Sequence, residues 1–361
     1  MTRFLVVSEP DRARGAGDRV LGIVEGLRAC GGEVSRMTLA PLRGPLRRLR
    51  TTPWWYYKAT STWSAELKKA AAAADVVVAS RLPVAACVLE ALGPSTGVPV
   101  AYDAHNDEAK LIAEIAPGRR SREVERMQRE VVSAAAVVWA AGARDAASLE
   151  SRYPGSRVAN LPNGVSADVR PIRAEPAPGS AFTFGTWAYP PNRDGLQRLA
   201  SSGFSGDGDV YVFGHLPRRL RRRAERTVSA TGAGPEWRFE GFAETIEAMV
   251  ERAGGPGIVP VWSGSGTKLR VVQLAARGIP AHVTTEAVSG LPEWLARELQ
   301  PEDDARTLLG AALSAQPEAW AHARTVAQRV VAELSWETLV AAALADSGLA
   351  ASADAAPVKS Q

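Results

Sequence analysis

Short runs of apolar, often β-branched residues alternate with longer amphipathic stretches over about the first 160 residues of the chain. The run 4–8 (FLVVS) is almost wholly apolar, and apolar positions in 18–30 recur three and four residues apart, which is helical spacing. Strands buried on both faces with helices between them are typical of a parallel, doubly wound sheet. The other strands predicted here are 76–79, 99–102, 136–139 and 158–161, and the other helices are 64–74, 84–92, 122–134 and 143–151.

A second series of the same kind follows residues 166–180, a stretch rich in proline and glycine that we interpret as a linker. We expect an α/β protein of two Rossmann-like domains, 1–165 and 181–335, facing each other across a cleft, then a C-terminal helix (336–349) and a disordered tail (350–361). Ligands of such sheets bind at the carboxyl ends of the strands, which predicts an active site between the halves. The strands predicted here are 182–185, 210–213, 237–239, 257–261 and 281–284, and the helices are 193–200, 218–229, 244–252, 268–276, 302–315, 317–333 and 336–346.

Composition narrows the class of protein. With 361 residues, of which 46% are hydrophobic and 23% charged, the chain resembles an ordinary soluble protein of two domains. No apolar run reaches the roughly 20 residues that a bilayer span needs, and the first apolar run is too short for a signal peptide. We therefore expect a cytoplasmic protein, and its abundance of alanine and arginine suggests a bacterial source.

The formal net charge of +4 is too small to indicate a nucleic-acid partner, and we expect none. Cys30 and Cys87 lie far apart within apolar helical patterns and are expected to be buried thiols without a disulfide. Four scattered histidines show no ligand spacing. We therefore expect neither a metal nor a cofactor.

The most specific candidate for chemistry is the loop that follows the predicted strand 257–261. Small residues there precede a helix, so that backbone amides converge near the positive end of its dipole, and two cations lie beside them. This arrangement suits a diphosphate, although a flexible loop with a solvated basic turn is the alternative. The candidate phosphate-binding residues are Gly264, Ser265, Gly266, Thr267, Lys268 and Arg270.

A second glycine-containing turn, with Gly15 and Gly17, precedes the first helix and is a weaker candidate for phosphate binding. The dinucleotide fingerprint requires a third glycine where Val20 stands, which disfavours NAD. An ordinary strand-to-helix loop explains the two glycines equally well.

Polar side chains also follow two predicted strands. His105, flanked by Asn106 and Glu108, comes directly after the strand 99–102, where a neutral imidazole can orient a sugar hydroxyl or accept a proton. A structural histidine is the alternative. Asn192 and Arg193 open the helix after the strand 182–185; Arg193 is a candidate phosphate ligand, and helix capping by Asn192 is the alternative.

Two basic segments require separate interpretations. Residues 217–226 place six arginines around most of a helix without aromatic neighbours, which favours a solvated surface over a nucleic-acid platform. In 42–58 the basic residues instead flank a WWYY run that includes Trp54 and Trp55. Packing between helices, an acceptor-side wall and contact with a membrane surface all remain open for this segment, with membrane contact the least favoured.

Five motifs in order resemble those of family-4 glycosyltransferases of the GT-B fold, over about positions 3 to 345. They are the HN-x-E element at His105, Asn106 and Glu108, then LPNGV (161–165), YPPNRD (189–194), GSGTKLRVVQLAARGIP (264–280) and TTEAVSGL (284–291). The resemblance implies a nucleotide-sugar donor held mainly by the C-terminal domain and an acceptor held by the N-terminal domain. It further implies transfer with retention of configuration, no metal, and a last helix that crosses back to the first domain.

The resemblance also implies roles for single residues. His105 would orient the donor sugar or the acceptor, and Gln273 and Asn192 would hold the donor ribose or sugar. Asn106, Glu108, Trp54 and Trp55 would lie on the acceptor side, with a small-molecule or lipid-linked acceptor.

The sequence departs from the family at two places. Ser265 and Gln273 stand where the family has an E-x7-E pair, and Thr186 and Asn192 where it has an arginine and a lysine. Phosphate binding would therefore depend more on Lys268 and Arg270, with Arg193 as a further candidate. These departures leave two alternatives open, a non-catalytic nucleotide-sugar-binding partner of another transferase and a sugar-nucleotide epimerase of the same fold.

Overall fold

A computed structural model describes residues 1–10, 16–39, 61–93, 96–115, 117–173, 177–219, 221–222, 225–226 and 234–349. The chain divides into two compact units. Unit 1 consists of Met1–Pro162 and the segment from Trp336 onward, and unit 2 consists of Asn163–Ser335.

Unit 1 is built on a sheet of six parallel strands in the order β2-β1-β3-β4-β5-β6. Strands β3, β4 and β5 are buried along their whole length, because helices cover both faces of the sheet. The strands are β1 (Arg3–Ser8), β2 (Glu33–Thr38), β3 (Val76–Ser80), β4 (Val100–Ala104), β5 (Val137–Ala140) and β6 (Val158–Asn160). The helices are α1 (Ala16–Ala29), α2 (Ser61–Ala72), α3 (Leu82–Leu92), α4 (Glu108–Ile115), α5 (Arg119–Ala134), α6 (Ala143–Arg152) and, from the end of the chain, α14 (Trp336–Ser347).

Unit 2 is built on five parallel strands in the order β11-β10-β7-β8-β9. The strands are β7 (Ser180–Phe184), β8 (Asp209–Phe213), β9 (Glu236–Gly241), β10 (Gly257–Val259) and β11 (Ala281–Val283). The helices are α7 (Pro190–Ala200), α8 (Ile246–Ala253), α9 (Leu269–Ala276), α10 (Thr285–Val288), α11 (Glu293–Leu299), α12 (Ala305–Leu313) and α13 (Pro317–Leu334).

Helix α14 packs against α1, although more than 300 residues of chain separate them. Two glycines of α1 make this close approach possible. A β-carbon on Gly22 would lie 2.0 Å from the Trp336 indole, and one on Gly26 would lie 2.5 Å from the Trp336 carbonyl oxygen. The last helix of the chain is thereby part of unit 1.

Three features differ from what the sequence pattern predicts. Strand β2 was not expected, because it pairs only with β1 at the sheet edge and its mostly exposed residues lack a continuous apolar run. Helices α4, α10 and α11 were not expected either. Cys87 is buried as predicted, but the prediction for Cys30 is wrong: it follows the last residue of α1 and is exposed, with its sulfur 3.9 Å from the Glu337 carbonyl.

Candidate active site

In unit 1, the ends of β3 and β4 and the first turns of α1 bring four polar side chains together. Ser80 and Asp103 are paired in register at the ends of their strands, and His105 follows β4 by one residue. The Asp103 carboxylate accepts hydrogen bonds from Arg19 Nε (2.8 Å) and Ser80 Oγ (2.7 Å). His105 Nε2 lies 3.1 Å from Asp103 Oδ2 and 2.9 Å from Ser80 Oγ.

Three of these side chains are buried and His105 is the most accessible. Arg19, Ser80 and Asp103 are each at most 1% exposed, whereas the His105 side chain is 12% exposed. Burial alone would raise the pKa of Asp103, but the charges of Arg19 and His105 and their hydrogen bonds outweigh it and hold the pKa well below its usual range. Asp103 is therefore ionised at neutral pH.

The other predicted acceptor-side residues of the HN-x-E element lie in the same turn. Asn106 and Glu108 are both partly buried, and Glu108 opens α4. Burial raises the pKa of Glu108, although the charges of Arg81 and His105 partly offset it. Arg81 itself pairs with Glu9 at 2.7 Å. His105 thus lies within a network of alternating charges at the carboxyl ends of β1, β3 and β4.

Asp107, which sequence reasoning did not single out, fixes this turn. Its buried carboxylate accepts from the Lys110 amide, which caps α4, and from Gln128, Ser148 and Arg152 at 2.7–2.8 Å. Desolvation opposes the charge, but these hydrogen bonds lower the pKa of Asp107. The position of Asp107 two residues after His105 was the only signal available from the sequence.

In unit 2, the small-residue loop predicted to bind phosphate leads from β10 into α9. Gly264 and Gly266 have φ of 136° and 70°, which only glycine adopts without strain. Lys268 Nζ donates to the carbonyls of Ser265 (3.0 Å) and Gly266 (2.9 Å) and lies 3.5 Å from a Glu286 carboxylate oxygen. Part of the Lys268 charge is therefore already compensated within the loop.

Thr267 of this loop is held by Asn163, a residue of the LPNGV motif that was not assigned a role. The backbone N–H of Asn163 donates to Thr267 Oγ1, and the side-chain Nδ2 of Asn163 donates to the Thr267 carbonyl, both at 2.7 Å. These hydrogen bonds thus join two motifs that are separated by about 100 residues in the chain. The resemblance placed both motifs in order, but nothing in their spacing along the chain indicates that they touch.

Arg270, in the first turn of α9, reaches from the loop to the carboxyl end of β7. Its guanidinium donates to the Phe184 carbonyl and to Asn192 Oδ1 (2.8 Å). Within the described part of the chain, no carboxylate pairs with it. Burial in these surroundings lowers the pKa of Arg270 to about 10, so the group is cationic at neutral pH.

Gly185 and Asn192 shape the space around this cation. A β-carbon at Gly185 would come within 3.1 Å of Arg270 Nη1, tighter than ordinary contacts. The Asn192 side chain accepts from Arg270 and donates to the Thr186 carbonyl at 3.2 Å. Asn192 is thus brought to the predicted phosphate site, where it orients the arginine.

The remaining predicted residues are less closely associated with the loop. Arg193 pairs with the adjacent Asp194 at 3.0 Å, and Gln273 lies partly buried one turn along α9. Gly17 lies in the first turn of α1. Gly15, Trp54 and Trp55 lie outside the described residues, so their predicted roles stay predictions.

Neither a cluster of metal-ligand side chains nor a membrane-spanning helix occurs among the described residues. No group of three or more histidine, cysteine, aspartate or glutamate side chains there has the geometry to hold a metal ion. No helix there is long and apolar enough to cross a bilayer.

Similar solved structures cover both units. Sucrose-phosphate synthase from Thermosynechococcus elongatus matches with a TM-score of 0.70 at 17% identity, over 94% of this chain and 97% of that one. HepE from Anabaena, solved with UDP and glucose, matches with a TM-score of 0.67 at 11% identity, over 94% and 98% of the two chains. A glycosyltransferase from Rickettsia africae matches with a TM-score of 0.66 at 11% identity, over 97% and 98%.

Sequence comparison adds nothing to this likeness, because no family model matches the chain and no curated protein matches it significantly. The likeness in structure extends over nearly the whole length of each neighbour. Two parallel-sheet α/β units in this order, matched throughout by glycosyltransferases of known structure, identify the GT-B fold.

Proposed function

We propose that this protein is a glycosyltransferase that moves a sugar from a nucleotide-sugar donor to an acceptor. The observation that carries the proposal is the position of Arg270. This cation lies at the carboxyl end of β7, and no carboxylate among the described residues pairs with it. A partly buried charge of this kind requires compensation, which the diphosphate of a donor would supply.

Neighbouring groups favour a diphosphate as that anion. The loop amides that precede α9 lie at the positive end of its dipole, and Lys268 adds a second cation that is partly compensated by Glu286. The fold supports this interpretation, since HepE has been solved with UDP and with UDP-glucose.

In the proposed reaction, the bond between the sugar C1 and the diphosphate oxygen breaks, and a bond from C1 to the nucleophilic atom of the acceptor forms on the same face. The acceptor proton passes to the departing diphosphate, so that the sugar keeps its anomeric configuration. Arg270, Lys268 and the loop amides stabilise the charge that develops on the leaving group, which is the function that a metal serves elsewhere. We therefore propose a retaining reaction without a metal.

His105 is the proposed contact with the reacting sugar or acceptor. It is the most accessible member of its cluster, and a hydrogen bond from a hydroxyl would orient the substrate. Gln273 would hold the donor ribose or sugar through neutral hydrogen bonds in place of a carboxylate. Asn106 and Glu108 would line the acceptor side, and a small soluble acceptor is preferred over a lipid-linked one.

The test is a panel of nucleotide sugars incubated with the purified chain, with release of nucleoside diphosphate as the readout. One donor should be hydrolysed slowly without an acceptor, and Arg270→Gln should reduce this rate at least tenfold, since one charge-assisted contact contributes about 1.5–3 kcal/mol. Arg252→Gln is the matched control, because the Arg252 side chain is exposed and already pairs with Glu240 in the same unit.

Other outcomes would assign one of the two alternatives. If the chain binds a donor tightly but neither hydrolyses it nor transfers its sugar to any member of an acceptor library, the protein is a non-catalytic partner. Gln273 would then be the residue to examine first. Conversion of the donor sugar into an isomer without release of nucleotide would indicate an epimerase.

A further inference from the structure

The ammonium group of Lys268 is surrounded by acceptors of its own unit. Its Nζ donates to the carbonyls of Ser265 (3.0 Å) and Gly266 (2.9 Å), and it lies 3.5 Å from Glu286 Oε1. A lysine has three N–H donors and no acceptor. Since three acceptors already surround this ammonium group, an anion that binds Lys268 must compete with them.

Of these three acceptors, only Glu286 carries a charge. Its side chain is 18% exposed and that of Lys268 is 13% exposed, so water screens this ion pair less than it screens a fully exposed one. An opposite charge held this close reduces the attraction of the ammonium group for any other anion. Glu286 is therefore the group through which the affinity of Lys268 for a phosphate is set.

The turn from β11 into α10 fixes the position of Glu286. Thr284 is fully buried and caps α10 with its side chain, while its hydroxyl donates to the Val261 carbonyl. Val261 lies on the segment that leads from β10 into the small-residue loop. Ser289 Oγ lies 3.1 Å from Glu286 Oε1 and is a donor to it. The carboxylate is thus held beside the loop by contacts on both sides of its own turn.

Arg270, the other cation beside the loop, has neutral partners instead. Its guanidinium donates to the Phe184 carbonyl and to Asn192 Oδ1, and no carboxylate among the described residues pairs with it. The two cations therefore differ: the positive charge of Arg270 is not compensated by these partners, whereas that of Lys268 is already shared with Glu286.

We propose that Glu286 is a positioning residue that acts through Lys268: its carboxylate competes with a bound diphosphate for the ammonium group and thereby weakens diphosphate binding. A transferase must release its nucleoside diphosphate after each turnover, and this release limits the rate of many enzymes. A carboxylate that pairs again with the lysine favours that release. The inference rests on one part of the proposed function, the binding of a diphosphate at the small-residue loop.

The test is calorimetric titration of the full chain with inorganic pyrophosphate and a metal chelator, since pyrophosphate has the two phosphates of the leaving group without a base or a ribose. Glu286→Gln keeps the size of the side chain and removes its charge. Pyrophosphate should then bind about three- to tenfold more tightly, between the effects of an exposed ion pair and of a charge-assisted contact.

Glu293→Gln is the matched control for this charge removal. Glu293 also lies in the first turn of a short helix of unit 2, but it is exposed and pairs with the exposed Arg297. The affinity of this variant for pyrophosphate should equal that of the wild type. Arg270→Gln in the same series should weaken binding, which locates the probe at the loop.

Lys268→Met tests whether Glu286 acts through the lysine. The loss of affinity caused by Lys268→Met should be larger in the Glu286→Gln background than in the wild type, because the ammonium group is no longer compensated there. Equal losses in the two backgrounds would show that Glu286 acts on the ligand directly and would overturn the proposal.

The sign of the change separates the proposal from a purely structural role. If Glu286 only maintained the loop, Glu286→Gln would weaken pyrophosphate binding; that result, or an unchanged affinity, would overturn the inference and leave the proposed function intact. Glu286→Ala should tighten binding as well and replaces the glutamine variant if that variant does not fold.

The outcomes also distinguish the inference from the proposed function. If the expected order of affinities is found but no nucleotide sugar is ever hydrolysed or used in transfer, the proposed function fails and the role of Glu286 stands. Folded protein that binds no pyrophosphate in any variant would overturn both.

Discussion

At the scale of the residue, Arg81 is a strained position beside the candidate site. It has φ 77° and ψ 149°, a backbone region that essentially only glycine occupies, and it stands between β3 and α3. Its amide donates to the Asp103 carbonyl at 3.0 Å and its side chain pairs with Glu9. Strain of this kind costs on the order of 1–3 kcal/mol, and the surrounding hydrogen bonds must hold it in place.

Comparing two substitutions at Arg81 isolates this strain. Arg81→Gly and Arg81→Ala both remove the ion pair with Glu9, but only glycine adopts the backbone angles at low cost. We expect the glycine variant to be more stable than the alanine variant by about 1–2 kcal/mol, or roughly 2–8 °C in the thermal midpoint.

The same pair of substitutions at an ordinary helical position supplies the control. At Glu90 in α3, an exposed position, alanine should be the more stable of the two by about 1 kcal/mol. Equal midpoints for the two Arg81 variants would show that position 81 carries no strain.

Single residues also show how far the sequence predicts the site. His105 and Arg270 were predicted because polar or cationic residues directly follow strands or open helices, and such patterns are visible locally. Arg19, Ser80 and Asn163 were not assigned roles, because their importance comes from partners 23 to 104 positions away in the chain. Spacing along a sequence does not reveal these contacts.

At the scale of the element, the contact of α1 with α14 attaches the end of the chain to unit 1. Gly22 and Gly26 are required there because α14 leaves no room for a side chain on either residue. The same contact places Trp336 over Arg19 and thereby connects the packing of these helices to the cluster around His105.

Gly22→Ala should destabilise the protein, because the added methyl would lie 2.0 Å from the Trp336 indole and displace it. We expect a loss of about 1–3 kcal/mol from overpacking, measured as a lower midpoint in thermal unfolding. Glu25→Ala on the exposed face of the same helix is the control and should have little effect.

The packing can be tested further with Trp336→Phe. If the methyl group clashes with the indole, Gly22→Ala should cost less in the Trp336→Phe background than in the wild type. An equal cost in both backgrounds would contradict the packing described here.

Elements buried on both faces were the easiest to predict. Strands β1, β3, β4 and β5 each contain a short continuous apolar run, so their burial is visible in the sequence. Strand β2 was missed because an exposed edge strand has no such run, and α4 because its start depends on the buried hydrogen bonds of Asp107.

At the scale of the whole molecule, two parallel-sheet units carry different candidate chemistry. Unit 1 holds a buried, internally compensated set of charges that orients His105. Unit 2 holds a cation at Arg270 that none of the described carboxylates compensates. We therefore propose anion binding for unit 2 and substrate orientation for unit 1.

The most direct test of this account is calorimetric titration of the full chain with UDP, GDP, dTDP and ADP, in the presence of a metal chelator. We expect one of the four nucleotides to bind clearly more tightly than the others and to stabilise the fold by about 2.7 kcal/mol at 100 times its Kd. In Arg270→Gln the affinity for that nucleotide should fall at least tenfold, while in Arg252→Gln it should remain. Folded protein that binds none of the four, or binds them equally well after Arg270→Gln, would contradict the account.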